Sequence, residues 1–390
     1  MVRYVKFCEV NMKKKKILIF IDWFLPGYKA GGPIQSIANF VNNFGDIFDI
    51  SIVTSNKDLG ATKLYDGIKS NVWVVKDNYR VKYLDKKHLN ISNYRFLLKE
   101  DFYDSVYFNS LFSVYFTLLP LWFAVKYNMR VVLAPRGMLG SGALNLKKRK
   151  KQLALWFLKM SGISNKIIWQ GTASTEVLEI KICFGEKMQV KLAPNLSART
   201  PEFLITKQKE IATLNLFFLS RISEKKNLIG ALNYLKEVKE CYQINFSIIG
   251  PIGEPGYWNE CELLINKLPK HITVNYFGAI PNLELSKVLK QQQVLLLPTF
   301  NENFGHVILE ALQAGCPVIL SNQTPWLDLN KKKIGYDIDL DKPEDFISAI
   351  ECFAKMNEED YQQWSLNAFN FATEFTNNKD IINANRDLFN

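Results

Sequence analysis

Histidine is almost absent from this chain. The three present, His88, His271 and His306, lie far apart, which argues against a histidine-rich metal centre. The six cysteines, at positions 8, 183, 241, 261, 316 and 352, form no CxxC pair and no regular framework. That excludes a disulfide-stapled scaffold and predicts reduced, mostly buried thiols in a cytoplasmic protein. A secretory leader is also missing: the apolar run Ile17–Ile21 is too short for one and ends at Asp22. The run reads instead as a first buried strand. Met12 opens a more natural start, "MKKKKILIF", so residues 1–11 read as an over-extended start or a disordered leader. One stretch, Val106–Val125, has the length of a membrane span. Asn109, Ser110, Ser113, Thr117 and Pro120 interrupt it, and a strand "DSVYFNS" followed by a helix "FSVYFTLLPLWFAVKYN" accounts for it better. No repeat shorter than a domain is visible.

What is present is a globular composition, 48% hydrophobic and 22% charged over 390 residues, long enough for two cores. The net charge of +11 is divided unevenly. Residues 1–200 hold 31 Lys and Arg against 14 Asp and Glu, a net +17, and residues 201–390 hold 18 against 24, a net −6. A basic half joined to an acidic half suggests a polyanionic surface facing one domain; plain solubility charge is the alternative. Short β-rich runs alternate with helical segments throughout. "ILIFI", "VVLA" and "VLLL" are continuously apolar, as strands of a parallel sheet covered on both faces must be. The pattern predicts an α/β chain of two Rossmann-like doubly wound domains facing across a cleft. The pattern breaks at "APNLSARTPEF", which places the first domain at 1–200, the second at 201–374, and a C-terminal helix, 375–390, crossing back to the first.

Three constellations carry chemistry. In "LLLPTFNENFGHVILEALQAGCPVIL" a strand leads into a helix that starts near Phe304–Gly305 and stops at Gly315. The first amides of such a helix, Asn303, Phe304 and Gly305, form an anion cradle. Glu302 before it and Glu310 about two turns inside it are poor neighbours for phosphate but good acceptors for neutral hydroxyls. The site therefore reads as phosphate flanked by two polyols, a nucleotide sugar. The alternative is that Glu302 caps the helix and Glu310 sits on its solvated face. In "FFLSRISEKKNLIGAL", Arg221 and Lys226 stand in a strand-to-helix turn, where two cations can grip a diphosphate and offset charge on a leaving group. Surface cations are the plainer reading, although a helix start disfavours them. In "PGYKAGGPIQSIANF", Gly31 and Gly32 open a helix after the first strand and can present amides to phosphate, a weaker signal because such turns are common.

Together these motifs resemble the GT-B glycosyltransferases of family 4, the large retaining group, and within it members that build bacterial surface polysaccharides. Arg221 and Lys226 match the family's basic pair, Glu302 and Glu310 its paired glutamates, "EALQAGCPVIL" the run that follows, and Gly31–Gly32 its N-terminal glycine loop. The resemblance implies that Arg221, Lys226 and Glu302 are catalytic. It implies that Gly31, Gly32, Asn303, Phe304, Gly305 and Glu310 bind the donor, with Glu310 on the ribose. The expected reaction moves a hexose-type sugar from a nucleotide diphosphate sugar, UDP-linked before GDP-linked, to a hydroxyl of a lipid-linked glycan. Departures fall on the acceptor side. "VVLAPRGML" carries Arg136 where the family often has histidine; Gln170 also replaces a histidine, and "PNL" at Pro194–Leu196 replaces "PNG". Arg136 cannot act as a base but can hold a phosphate or an acceptor hydroxyl. No cofactor and no metal are expected, and "DID" at Asp337–Asp339 reads as a solvated loop. His306 stays open between touching the donor and packing beside the strand. The basic block Lys147–Lys151 precedes Leu153, Trp156, Phe157 and Met160 at helical spacing. That helix either lies peripherally on an anionic membrane at the cytoplasmic face or packs in the core. A sugar-nucleotide epimerase of the same fold, and a nonenzymatic nucleic-acid binder, are the competing functions. The first wants more acid/base residues, and the second does not explain the glutamates, so no nucleic-acid partner is expected.

Overall fold

The computed structural model describes residues 14–145, 148–198 and 200–390. The leader 1–11, the start at Met12 and Lys147 of the basic block lie outside the described residues. The chain forms two sheets. The first contains β1 Lys16–Phe20, β2 Asp49–Ser55, β3 Trp73–Val75, β4 Arg80–Leu84, β5 Ser105–Phe108, β6 Val131–Leu133, β7 Ile167–Gly171 and β8 Val190–Leu192. Their order is β3-β4-β2-β1-β5-β6-β7-β8, parallel except for β3 against β4. The alternation of the pleat explains why every position of "ILIF" is apolar. Ile17 and Ile19 enter one core cluster, and Leu18 and Phe20 enter the cluster on the opposite face. The second sheet contains β9 Thr213–Leu219, β10 Gln243–Ile249, β11 Ile272–Gly278, β12 Val294–Leu297, β13 Val318–Ser321 and β14 Gly335–Ile338. It is parallel in the order β11-β10-β9-β12-β13-β14.

The order reverses between β9 and β12 in the second sheet and between β1 and β5 in the first. Ligand crevices form at the carboxyl ends of strands at such switch points. The loops after β1, β9 and β12 are the ones that carry the three motifs. At the far end of the chain, helices Glu358–Thr376 and Lys379–Arg386 lead to Leu388 and Phe389. Both are buried in a core cluster of the first sheet, with the Phe389 ring 5.3 Å from Phe40 and 5.4 Å from Tyr107.

Three strands differ from the sequence reading. β4, "RVKYL", looks like a charged loop, yet Lys82 is buried. Arg80 pairs with Asp101 at 2.8 Å and Lys82 with Glu100 at 3.2 Å, and both lie over the Trp73 ring. The short β8 edges the first sheet beside β7. β14 takes in Asp337, so that residue is no solvated loop. Its carboxylate accepts from the N–H groups of Asp328 at 3.1 Å and Leu329 at 2.9 Å, fixing the turn before the edge strand. The thiols also differ: of the described cysteines only Cys261 and Cys316 are buried, while Cys241 and Cys352 are exposed. Val106–Val125 folds as β5, a π-turn at Val114–Leu118 and a helix at Leu119–Lys126. Among the described residues no helix is long and apolar enough to cross a membrane.

Candidate active site

A cleft of about 410 Å³ opens between the two sheets, and all ten residues singled out from the sequence line it. Arg221 follows β9, and Lys226 ends a short turn, Glu224–Lys226, before the helix Leu228–Lys236. Asn227 separates turn from helix and caps the latter through Gly230 N–H at 3.0 Å, so Lys226 stands free of the helix and faces the cleft. There its ammonium pairs with Glu302, and both side chains are mostly buried. Glu302 therefore does not cap the helix His306–Gln313, whose cap position is Gly305 and carries no side-chain bond. The N–H groups of Asn303, Phe304 and Gly305 have no acceptor among the described residues, as an anion cradle requires. Phe304 holds this turn in place. Its ring is buried, and its carbonyl accepts from the Trp326 indole N–H at 2.5 Å.

Glu310 is not on a solvated face. It is half-buried against the cleft, and its carboxylate has no hydrogen-bond partner among the described residues. Burial pushes its carboxyl from 4.5 up to about 7. Between those values the folded chain holds a proton that the unfolded chain has lost, so stability falls as pH rises from 4.5 to 7 and stays lowered above. Glu310→Gln is expected to raise the melting temperature of the ligand-free protein at pH 8, to flatten its decline between pH 5 and 7, and to weaken nucleotide binding. A ligand-free variant that melts lower than the parent at pH 8 contradicts this.

On the opposite wall, Gly31 is left-handed at φ +66 with open space where a Cβ would stand. Its own N–H is taken by the Tyr28 carbonyl at 3.0 Å. Of the glycine pair, the free amide is therefore that of Gly32. Arg136 is left-handed too, at φ +57. Its guanidinium donates to Asn109 Oδ1 at 2.6 Å, Tyr107 OH at 2.7 Å and Asn195 Oδ1. Three polar contacts cross the cleft: Arg221 to the Lys29 carbonyl at 3.2 Å, His306 Nε2 with Ser36 Oγ at 3.0 Å, and Asn303 Nδ2 to Thr172 Oγ1 at 3.0 Å. His306 thus lines the cleft and meets the first domain. Burial and the Arg136 charge push its imidazole down to about 3, so it is neutral at physiological pH.

Sequence reasoning missed Lys225, Ser36 and Thr172, and saw Glu176 only as a residue kept from the family pattern. Lys225 lines the cleft beside Lys226, and the doubled lysine in "SEKKN" was a usable signal. Thr172 donates to Glu176 through both N–H at 2.7 Å and Oγ at 2.6 Å, and Glu176 also accepts from Gly137 N–H at 2.5 Å. Ser36 meets a residue 270 positions away, which no local pattern announces. Among the described residues no group of three or more His, Cys, Asp or Glu is placed to hold a metal ion.

The model of the family described as glycosyl transferases group 1 matches residues 205–371. The match is confined to this stretch, which is similar to that family. This group 1 domain contains the second sheet, Arg221, Lys226 and both glutamates. A 41.2 kDa protein of the cps region of Klebsiella pneumoniae is 33% identical over 115 residues, which span 30% of this chain and 29% of that protein. WaaG, a glycosyltransferase involved in lipopolysaccharide biosynthesis, superposes with a TM-score of 0.66 at 13% identity, covering 95% of this chain and 98% of that one. Anabaena HepE, in complex with UDP and glucose, superposes at 0.65 with 14% identity over 96% and 98%. At such identities these likenesses establish the fold: the group 1 domain and the basic half before it form a GT-B pair.

Proposed function

We propose that the protein is a retaining glycosyltransferase that moves a hexose-type sugar, from a UDP-sugar before a GDP-sugar, to a hydroxyl of a lipid-linked glycan in surface-polysaccharide synthesis. The observation that carries this is the order of unsatisfied groups along the group 1 wall. The unpartnered Glu310 carboxylate suits a ribose. The free amides of Asn303–Gly305 with Arg221 and Lys226 suit a diphosphate. Glu302, held by Lys226, suits the sugar hydroxyls. All but the exposed Arg221 are largely withdrawn from water, and one such donor meets the whole series. Arg221 and Lys226 offset the charge that grows on the departing diphosphate, the role a metal fills elsewhere, so no metal is required.

Among the described residues no side chain at the sugar end of the cleft is free to act as a general base, and the unpartnered carboxylate, Glu310, is given to the ribose. Glu302 is ion-paired, His306 is engaged with Ser36, and Glu176 accepts three hydrogen bonds behind the wall. A front-face route fits this: the acceptor hydroxyl attacks on the leaving-group side, and the departing diphosphate oxygen takes its proton. The epimerase alternative wants an acid/base pair beside the sugar, where Glu302 and His306 are already engaged, and a cleft of about 410 Å³ with an unpartnered carboxylate suits a nucleic acid poorly.

For the lipid, the exposed helix Lys148–Met160 offers a site. Only Leu158 of it is buried, while Leu153, Trp156, Phe157 and Met160 are exposed. Trp122 of the helix Leu119–Lys126 stacks beside Phe157 with ring centres 5.5 Å apart. Lys148, Arg149 and Lys150 are exposed at its start. The core-packing alternative is thereby set aside, and the helix suits an anionic bilayer at the cytoplasmic face. The test is nucleotide release from UDP-, GDP- and ADP-sugars with EDTA present. One nucleotide sugar is expected to release nucleotide, faster with membrane lipid extract. No release from any donor, with or without lipid, sinks the reading. Sedimentation with phosphatidylglycerol vesicles but not phosphatidylcholine vesicles is the expected companion result.

A further inference from the structure

The cleft is more positive than a donor alone explains. Among its described lining residues are five cations, Lys29, Arg136, Arg221, Lys225 and Lys226, and two carboxylates, Glu302 and Glu310, a formal excess of three positive charges. A nucleotide diphosphate sugar brings about two negative charges, one per phosphate. Arg221, Lys225 and Lys226 stand with the free amides on the group 1 wall, where that diphosphate belongs. The surplus lies on the first-domain wall, and its most ordered member is Arg136.

The way Arg136 is held matters. A non-glycine residue at φ +57 is strained, so the surroundings must hold it there. Its guanidinium is held at three nitrogens by Asn109, Asn195 and Tyr107. All three acceptors are neutral. They fix the position of the group without quenching its charge, and two of its five N–H bonds remain. Among the described residues no carboxylate pairs with it. The nearest in the network, Glu176, is already saturated by Thr172 and by the N–H of the adjacent Gly137. The location is where sugar and diphosphate meet: a Cβ on Gly137 would stand 3.3 Å from Asn303 Cβ, and Asn303 lies between Glu302, assigned to the sugar hydroxyls, and the amides assigned to the diphosphate. A fixed, unpaired guanidinium with open donors at the reacting end is suited to bidentate capture of an oxyanion.

We infer that Arg136 receives an anionic oxygen group, a carboxylate or a phosphate, carried by one of the two sugar substrates. The inference rests on the glycosyltransferase reading and narrows its substrate class to an acidic sugar. Either the donor sugar or the acceptor residue carries the acid, and the charge chemistry at Arg136 is the same for both.

The test is calorimetric titration of the full chain. Wild type is first titrated with UDP, GDP and ADP, and the tightest nucleotide is carried forward. The donor arm compares that nucleotide's glucuronate and glucose conjugates. The acceptor arm, at saturating nucleotide, compares methyl glucuronide and glucose 6-phosphate with methyl glucoside. The acidic ligand is expected to bind roughly tenfold or more tightly than its neutral partner in one arm, as loss of a charged hydrogen-bonded contact implies. Arg136→Gln should bring that ratio to about one, and Arg136→Lys, which keeps the charge in a smaller head, should retain part of it. A wild-type ratio near one in both arms overturns the inference. So does a ratio that survives Arg136→Gln, or a variant that loses nucleotide affinity while the ratio stays, which puts Arg136 on the diphosphate. If no nucleotide binds wild type, the donor-site reading itself fails and the inference goes with it.

Discussion

Lys226→Ala is expected to lower kcat/KM for the donor by about 10³-fold, read as nucleotide release, with the fold retained by thermal melt. One preorganised donor aimed at developing charge is worth about 10² to 10³ in rate. Lys226 has a second task that pushes the loss to the upper end of that range. Its ammonium pairs with Glu302 where both are largely withdrawn from water. Without it, a carboxylate faces the incoming diphosphate with nothing between them, so the variant loses an attraction and gains a repulsion. This makes the effects non-additive in a defined direction. The double variant Lys226→Ala with Glu302→Ala should bind nucleotide better than Lys226→Ala alone, although transfer stays lost. Arg221→Ala should cost less, because Arg221 is exposed and donates only to the Lys29 carbonyl. If the double variant binds nucleotide no better than the single one, Glu302 and Lys226 do not act as a pair.

The core of this site was legible because its parts are local. Arg221, Lys226, Glu302 and Glu310 sit at ends of apolar strands or one helix beyond them, where a charged residue has no reason to be unless something binds there. β4 went unread: "RVKYL" carries two cations, of which Lys82 is buried and Arg80 half-buried. Their partners, Asp101 and Glu100, lie about twenty residues on and belong to no motif. The cross-cleft contacts were hidden for the same reason, since Ser36 and His306 meet only after both domains have folded. Arg136 was found as a departure from a pattern, but its three neutral partners come from the end of β5, which supplies Tyr107 and Asn109, and from beyond β8, which supplies Asn195, and the sequence does not show that they converge. The stripe Leu153–Met160 shows a different limit. Helical spacing of apolar residues predicts a face, not what covers it, and here the covering core is absent. The end of the chain was read as helical throughout, but the last helix stops at Arg386 and Phe389 lies beyond it, its place against Phe40 and Tyr107 being a packing result.

Gly305→Ala should reduce nucleotide affinity at least tenfold, and Gly305→Val should leave no measurable turnover. Gly305 has φ +76, and a Cβ there would lie 2.6 Å from Ile308 Cδ1 and 2.9 Å from Glu302 Cγ. Two costs follow. The backbone strain of a side chain at positive φ is about 1–2 kcal/mol. The displacement is the more damaging, because Ile308 is fully buried and cannot retreat, so the movement falls on Glu302 and through it on Lys226. Gly31 separates the two effects. It is also left-handed, at φ +66, but nothing lies within 4 Å of a Cβ placed on it. Gly31→Ala therefore carries the strain without the displacement and should melt a few degrees lower while binding nucleotide nearly as wild type does. Melting curves and nucleotide titrations on the two variants give a direct comparison. If both lose stability alike and only Gly305→Ala loses the nucleotide, the anion cradle is the turn at Asn303–Gly305. If the nucleotide is lost equally from both, the glycine pair of the first domain holds the diphosphate, and the roles of the two walls must be exchanged.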